Sequence, residues 1–151
     1  MKERDLLRMQ WSGKLVSFNR YLKTRTLKKK DGKYSAIMYA STEYKNLVKA
    51  LVISLKLIWK KEPITKYVDM ILKISRWKVS DTGNVEKPIS DALETAGVIK
   101  NDNRIRNIYI LRSYHPKGEE DLLEIILIPI LSNESVVQIL QEEMAEGFFS
   151  S

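Results

Sequence analysis

Cysteine is absent from the 151-residue chain, and histidine occurs once, at position 115. The first absence excludes disulfides, thiolate metal sites and cysteine nucleophiles. The second excludes zinc sites built from several histidines. Any hydrolytic chemistry must therefore run on carboxylates, lysines or a bound metal. Long apolar runs are missing too. The best candidate, 47–59, is broken by Lys49 and Lys56, so no membrane span is expected. Residues 1–8 are charged and lack an apolar stretch, so no secretory signal is expected. A cytoplasmic protein is the resulting expectation.

What is present is a core-forming composition with an uneven charge. Hydrophobic residues make up 44%, enough for one packed domain over 1–151. The net charge is +7, but residues 1–80 hold 20 Lys/Arg against 6 Asp/Glu, and residues 81–151 hold 6 against 13. A basic half suits a polyanion, because each neutralised phosphate releases condensed counterions. A lysine-rich surface with no partner is the plainer alternative.

Residues 6–11 and 15–18 read as short strands, or one strand interrupted at Gly13. Residues 20–35 are dense in positive charge around Asp31-Gly32 and read as a flexible basic loop. Residues 36–40 suggest a strand. Ser41 or Thr42 then caps a helix to about Trp59, with Leu47, Leu51 and Leu55 at helical spacing. Partial alternation over 64–77 suggests a strand with one wet face carrying Lys66, Asp69, Lys73 and Ser75. Val85, Ile89, Ala92, Leu93 and Ala96 form the apolar face of a second helix, capped by Asp81 or Asn84 and stopped by Gly97. Pro88 is tolerated because it falls in the first turn. Residues 104–114 read as a strand and 122–131 as an inner strand. A final helix and tail occupy 133–151. This order implies an α/β domain with a mixed β-sheet flanked by helices.

The chemistry-bearing stretch is 81–102. Asn84, Lys87 and Asp91 share one polar helix face. Asp81 precedes the helix, whose N-terminus favours anions. Asp102 follows it, just before a strand. Magnesium uses hard oxygen ligands, and only one or two carboxylates are typical. A nearby lysine can stabilise charge on a reacting phosphate. The plainer readings are a helix cap for Asp81, a surface ion pair for Lys87 and Asp91, and a turn former for Asp102.

Asp81, Asn84, Lys87, Asp91-Ala92-Leu93, Ala96-Gly97 and Asp102, with Asn19-Arg20-Tyr21 upstream, form a pattern that resembles RusA-type Holliday-junction resolvases. The likeness covers roughly residues 15–130. It implies a compact RusA-like α/β homodimer that nicks two opposed strands of four-way junction DNA using Mg²⁺ or Mn²⁺. It further implies that Asp81 and Asp102 are metal ligands and that Lys87 is catalytic. Two positions depart from the family pattern: Gly83 stands where a second carboxylate is usual, and Asn101 replaces the first Asp of a pair. Asp91, on the face of Lys87, is the expected substitute ligand.

Asn19, Arg20, Lys23, Arg25, Lys28, Lys29 and Lys30 are the expected DNA-backbone contacts. Such contacts position a duplex without reading sequence. Phe18 is either a core residue or a wedge at the junction centre. His115, beside Pro116, reads as a turn residue. The acidic stretch 138–149, ending in Phe148-Phe149, has some likeness to sliding-clamp-binding peptides, but its spacing is off by one residue from that motif, and packing on its own subunit or at a dimer interface is the preferred reading. Two alternatives to the nuclease stand: a non-catalytic junction- or DNA-binding protein on the same fold, and a protein–protein adaptor.

Overall fold

A computed structural model describes residues 2–15, 22–76 and 85–147. The strands are β1 (Leu7–Gly13), β2 (Leu22–Lys28), β3 (Tyr34–Ala40), β4 (Val68–Arg76), β5 (Ile105–Tyr114) and β6 (Asp121–Pro129). The helices are α1 (Thr42–Ile58), α2 (Glu86–Thr95) and α3 (Asn133–Glu146). Four strands form a mixed sheet in the order β1-β6-β4-β5, and β2 pairs with β3 as a separate hairpin. β4 and β5 are parallel, paired from Val68↔Ile105 to Arg76↔Tyr114 with a one-residue register shift between Val68 and Asp69. The α2 crossover between them makes a βαβ unit inside an otherwise antiparallel sheet. This is the mixed-sheet α/β architecture expected. Among the described residues no helix is long and apolar enough to cross a membrane.

α1 forms where the spacing says it should. The Ser41 side chain accepts a hydrogen bond from the Tyr44 amide at 3.1 Å, satisfying one orphan donor of the first turn. Tyr44, Leu47, Leu51 and Leu55 then fall on one buried stripe. α2 has no side-chain cap; Val85 holds its N-cap position. Pro88 sits in its first turn, and Gly97, at φ 76°, reverses the chain after its end. Only glycine adopts that left-handed conformation without a steric penalty.

The sheet separates two interiors. On one face Met70, Leu72 and Ile74 of β4 and Leu123, Ile125 and Leu127 of β6 meet Leu47, Leu51 and Leu55 of α1 and Ile89, Ala92 and Leu93 of α2. On the other, Ile71, Ile126 and Ile128 meet Ile139 of α3. β6 is an inner strand, as its continuous apolar run suggests.

Three expectations need correction. The segment 20–35 is not a loop throughout: β2 pairs with β3 from Leu22↔Ala40 to Lys28↔Tyr34. Its alternating Leu and Thr residues have strand propensity that the interleaved cations mask. The turn itself falls at Asp31-Gly32 as expected, with the Lys33 amide bonded to Asp31 at 2.9 Å. Next, β4 has no wet face. Asp69, Lys73 and Ser75 are all buried, because α3 covers that side. Lys73 Nζ lies 2.9 Å from Glu143 of α3 and 3.4 Å from Glu124 of β6. Asp69 accepts from the Asn107 amide at 2.9 Å. Finally, β4 begins at Val68, and Ile64 makes only an isolated bridge to Ile99.

Candidate active site

α2 carries the centre of the site. Its buried side fixes its rotation, so positions 87 and 91, one turn apart, face outward together. Lys87 Nζ lies 2.9 Å from Asp91 Oδ1. The other carboxylate oxygen, Oδ2, accepts a hydrogen bond from the Tyr44 hydroxyl. Tyr44 is itself buried in the first turn of α1. A helix-surface ion pair alone stabilises by only a few tenths of a kcal/mol. What Tyr44 adds is orientation: it ties Asp91 to a second helix, and Asp91 in turn holds the lysine.

Tyr44 escaped the sequence reading because it lies 47 residues from Asp91 and fits the apolar stripe of α1. Tyr44→Phe is expected to lower the unfolding free energy by about 1–2 kcal/mol. Urea denaturation measures this, and an unchanged midpoint would show that the contact contributes nothing. Beside the three residues an open groove of about 740 Å³ runs between α1 and α2. Lys45 and Lys49 border it on one helix, and Asp91 and Glu94 on the other.

Asp102 lies elsewhere. It begins a short 3₁₀ turn, Asp102–Arg104, directly before β5. The Asn101 side chain caps that turn through the Asn103 amide at 3.0 Å. Asp102 is exposed. The register Val68↔Ile105 puts it near the start of β4, whereas Arg76, five residues before Asp81, is at the other end of that strand. Arg104 and Arg106 nearby each lie 5.2 Å from the Tyr67 ring centroid. Lys87 and Asp91 are thus brought together, and the Asp102–Arg104 turn contacts the same helix, α2.

Asp81, Gly83 and Asn84 lie outside the described residues, as do Phe18, Asn19 and Arg20. Among the described residues no three acidic or histidine side chains are grouped to hold a metal ion. Lys28, Lys29, Lys30 and Lys33 are exposed around the hairpin turn, and positions 23 and 25 lie in β2. In α3, Val136, Ile139 and Glu143 face the sheet while Met144 is exposed; Phe148 and Phe149 are outside the described residues. His115 is more than a turn residue: both ring nitrogens meet oxygen atoms, of Pro116 and of Asp121.

Neither a protein-family model nor a curated protein sequence matches the chain.

Proposed function

We propose that this chain is a divalent-metal-dependent endonuclease that nicks opposed strands of four-way DNA junctions, as its resemblance to RusA-type resolvases implies. The observation that carries the reading is the Lys87–Asp91–Tyr44 arrangement. A lysine at the spacing of the motif stands half-exposed on a helix, held by a carboxylate that a buried tyrosine anchors in turn. Held so, an ammonium is set to stabilise charge developing on a phosphate oxygen. A purely structural ion pair on a helix surface does not require the tyrosine.

Both oxygens of Asp91 are engaged, by Lys87 and by Tyr44. Its role in this reading is to position Lys87, in place of the substitute-ligand role expected of it. The hard oxygen donors left for a metal are Asp81 and the exposed Asp102, and one or two carboxylates suffice for Mg²⁺. Bound there, the cation would supply charge stabilisation and an activated water. The reading includes a two-fold homodimer, in which a partner supplies part of each site. Such symmetry also matches a junction cut at two points. The lysines of the hairpin turn would bind phosphates without sequence preference. The expected place of action is cytoplasmic, on nucleoid DNA.

The test is a synthetic four-way junction incubated with the protein in Mg²⁺ or Mn²⁺. Paired nicks are expected, with binding that weakens steeply as salt rises. Gly83, in the position of a usual carboxylate, favours one second reading, a junction-binding protein without cleavage. Salt-sensitive binding with no nick in either metal would select that reading. Absence of DNA affinity would remove both.

A further inference from the structure

Two guanidinium groups without a counter-charge stand in the chain beside Asp102. Arg104 ends the short turn that Asp102 begins, and Arg106 follows in β5. Each lies 5.2 Å from the centroid of the same ring, that of Tyr67. Tyr67 directly precedes β4 and is half exposed. Among the described residues neither guanidinium is ion-paired, and Arg104 Nε is buried with no hydrogen-bond partner. A structural arginine in this chain is treated differently: Arg8 is matched by Asp5, Glu124 and Glu143.

The backbone sets the two arginines in place. Ile105 pairs with Val68 and Asn107 with Asp69, which leaves Arg106 without a partner in β4. An extra residue of this kind re-aims the side chains around it. Ile105 and Ile110 both pack on the core, although strict alternation would send them to opposite faces. The extra residue lets Ile105 turn inward while Arg106 stays exposed. Lys66 and Lys100 extend the patch. Both are exposed, and the Lys100 amide donates to the Ile64 carbonyl at 3.0 Å, which joins the two segments. Residues 64–67 and 100–106 together carry four cations, and Asp102 is their only carboxylate.

We infer that Arg104 and Arg106, set against Tyr67, form a phosphate-binding site that takes the backbone of a DNA strand next to Asp102, with Lys66 and Lys100 at its rim. The inference rests on the junction reading above for the nature of the strand, and it does not require cleavage. Guanidinium forks match phosphate oxygens in pairs. The ring face attracts both cations and so orients them without neutralising either. A carboxylate partner would have orientated them equally well but would have cancelled the charge. The exposed aromatic edge among cations also suits an unpaired base, which stacks on rings and guanidinium planes alike.

The experiment reads binding of a labelled four-way junction by fluorescence anisotropy in EDTA, so that nicking plays no part, over a range of salt. The Arg104→Ala, Arg106→Ala double variant should bind about tenfold more weakly or worse. Its plot of log affinity against log salt should be shallower by about 1 to 2. Arg106→Ala alone, at an exposed position, should show roughly half of that change, and it keeps the test decisive if urea denaturation shows the double variant misfolded. Tyr67→Phe should bind as the wild type does and Tyr67→Leu several-fold more weakly, because the ring and not the hydroxyl holds the arginines. Unchanged affinity and slope in the arginine variants overturn the phosphate site, even where the wild type nicks junctions. Weaker binding at an unchanged slope overturns it too, since phosphate contacts are then not what was lost. Equal binding by Tyr67→Leu overturns the role of the ring. A wild type that binds through these arginines and never nicks in Mg²⁺ or Mn²⁺ supports the site and overturns the cleavage reading alone. A wild type without junction affinity overturns both.

Discussion

Lys87→Ala is expected to slow junction nicking about 10²- to 10³-fold while leaving junction affinity within a small factor. The loss is large because a fixed cation acts where charge appears during reaction, in surroundings that need no reorganisation. The loss should fall on kcat, because in the proposed complex Lys87 is only one of many cations available to the DNA backbone. The lysines of the hairpin turn should carry more of the binding. Lys87→Arg should recover only part of the rate, since a planar guanidinium cannot keep the geometry of a compact ammonium set by Asp91. Asp81→Asn should be at least as damaging, because a neutral amide is a much poorer partner for a hard cation. Single-turnover nicking of a labelled junction, with binding measured in parallel, separates the two effects. Unchanged nicking by Lys87→Ala or by Asp81→Asn would sink the assignment of the site.

Glu143→Ala is expected to cost about 3–5 kcal/mol of stability. Glu143 stands on α3 with its side chain fully buried. It accepts from Lys73 at 2.9 Å, Arg8 at 2.6 Å, Arg4 at 2.7 Å and Lys2 at 3.1 Å. Glu124 receives a second Arg8 nitrogen at 2.9 Å and the Gln10 amide at 2.7 Å. Removing the central carboxylate would leave Lys73 and Arg8 buried with fewer counter-charges. An uncompensated buried charge is more damaging than the pair is helpful. Lys73→Met should be milder, since it removes the buried cation together with its desolvation cost.

The same carboxylate sets an acid limit. Burial works to raise the pKa of Glu143, but hydrogen bonds from Arg8, Lys73 and Lys2 overcome it and hold the group well below the usual carboxylate range. A depressed folded pKa contributes stability above the unfolded value near 4.5 that is lost as pH falls through the folded one. Urea denaturation of the wild type should therefore show falling stability below about pH 4.5, and Glu143→Ala should show a shallower fall. A loss under about 1 kcal/mol in Glu143→Ala would mean that the cluster contributes no more than a surface pair.

The helices and the inner strand could be read from sequence because their causes are local. Ser41 lies directly before the stripe Leu47, Leu51, Leu55. β6 is an unbroken apolar run. Lys87 and Asp91 could be placed on one face because a single helical turn separates them. Two of the failures involve partners distant in the chain. Lys73 looked solvated because its counter-charge, Glu143, is 70 residues away. Tyr44 went unremarked because its acceptor sits on another helix, 47 residues away. His115 looked like a turn residue because the six-residue spacing to Asp121 does not by itself show that the turn closes on its second nitrogen. The hairpin was hidden by composition, since cations alternate with its strand-forming residues.

The pairing of β1 with β6 has a consequence for how the molecule is made. Leu7 is in register with Leu127, and Lys2 is hydrogen-bonded to Glu143 and Glu146. A chain synthesised from its N-terminus therefore presents its cation-rich half before the acidic complement exists. Closing so long a loop is slow, and β1 and the guanidinium of Arg8 must wait for α3. During that interval the nascent chain is a stronger polycation than the finished one, whose net charge is +7, and the Arg8 guanidinium of its first strand lacks the carboxylate of the last helix.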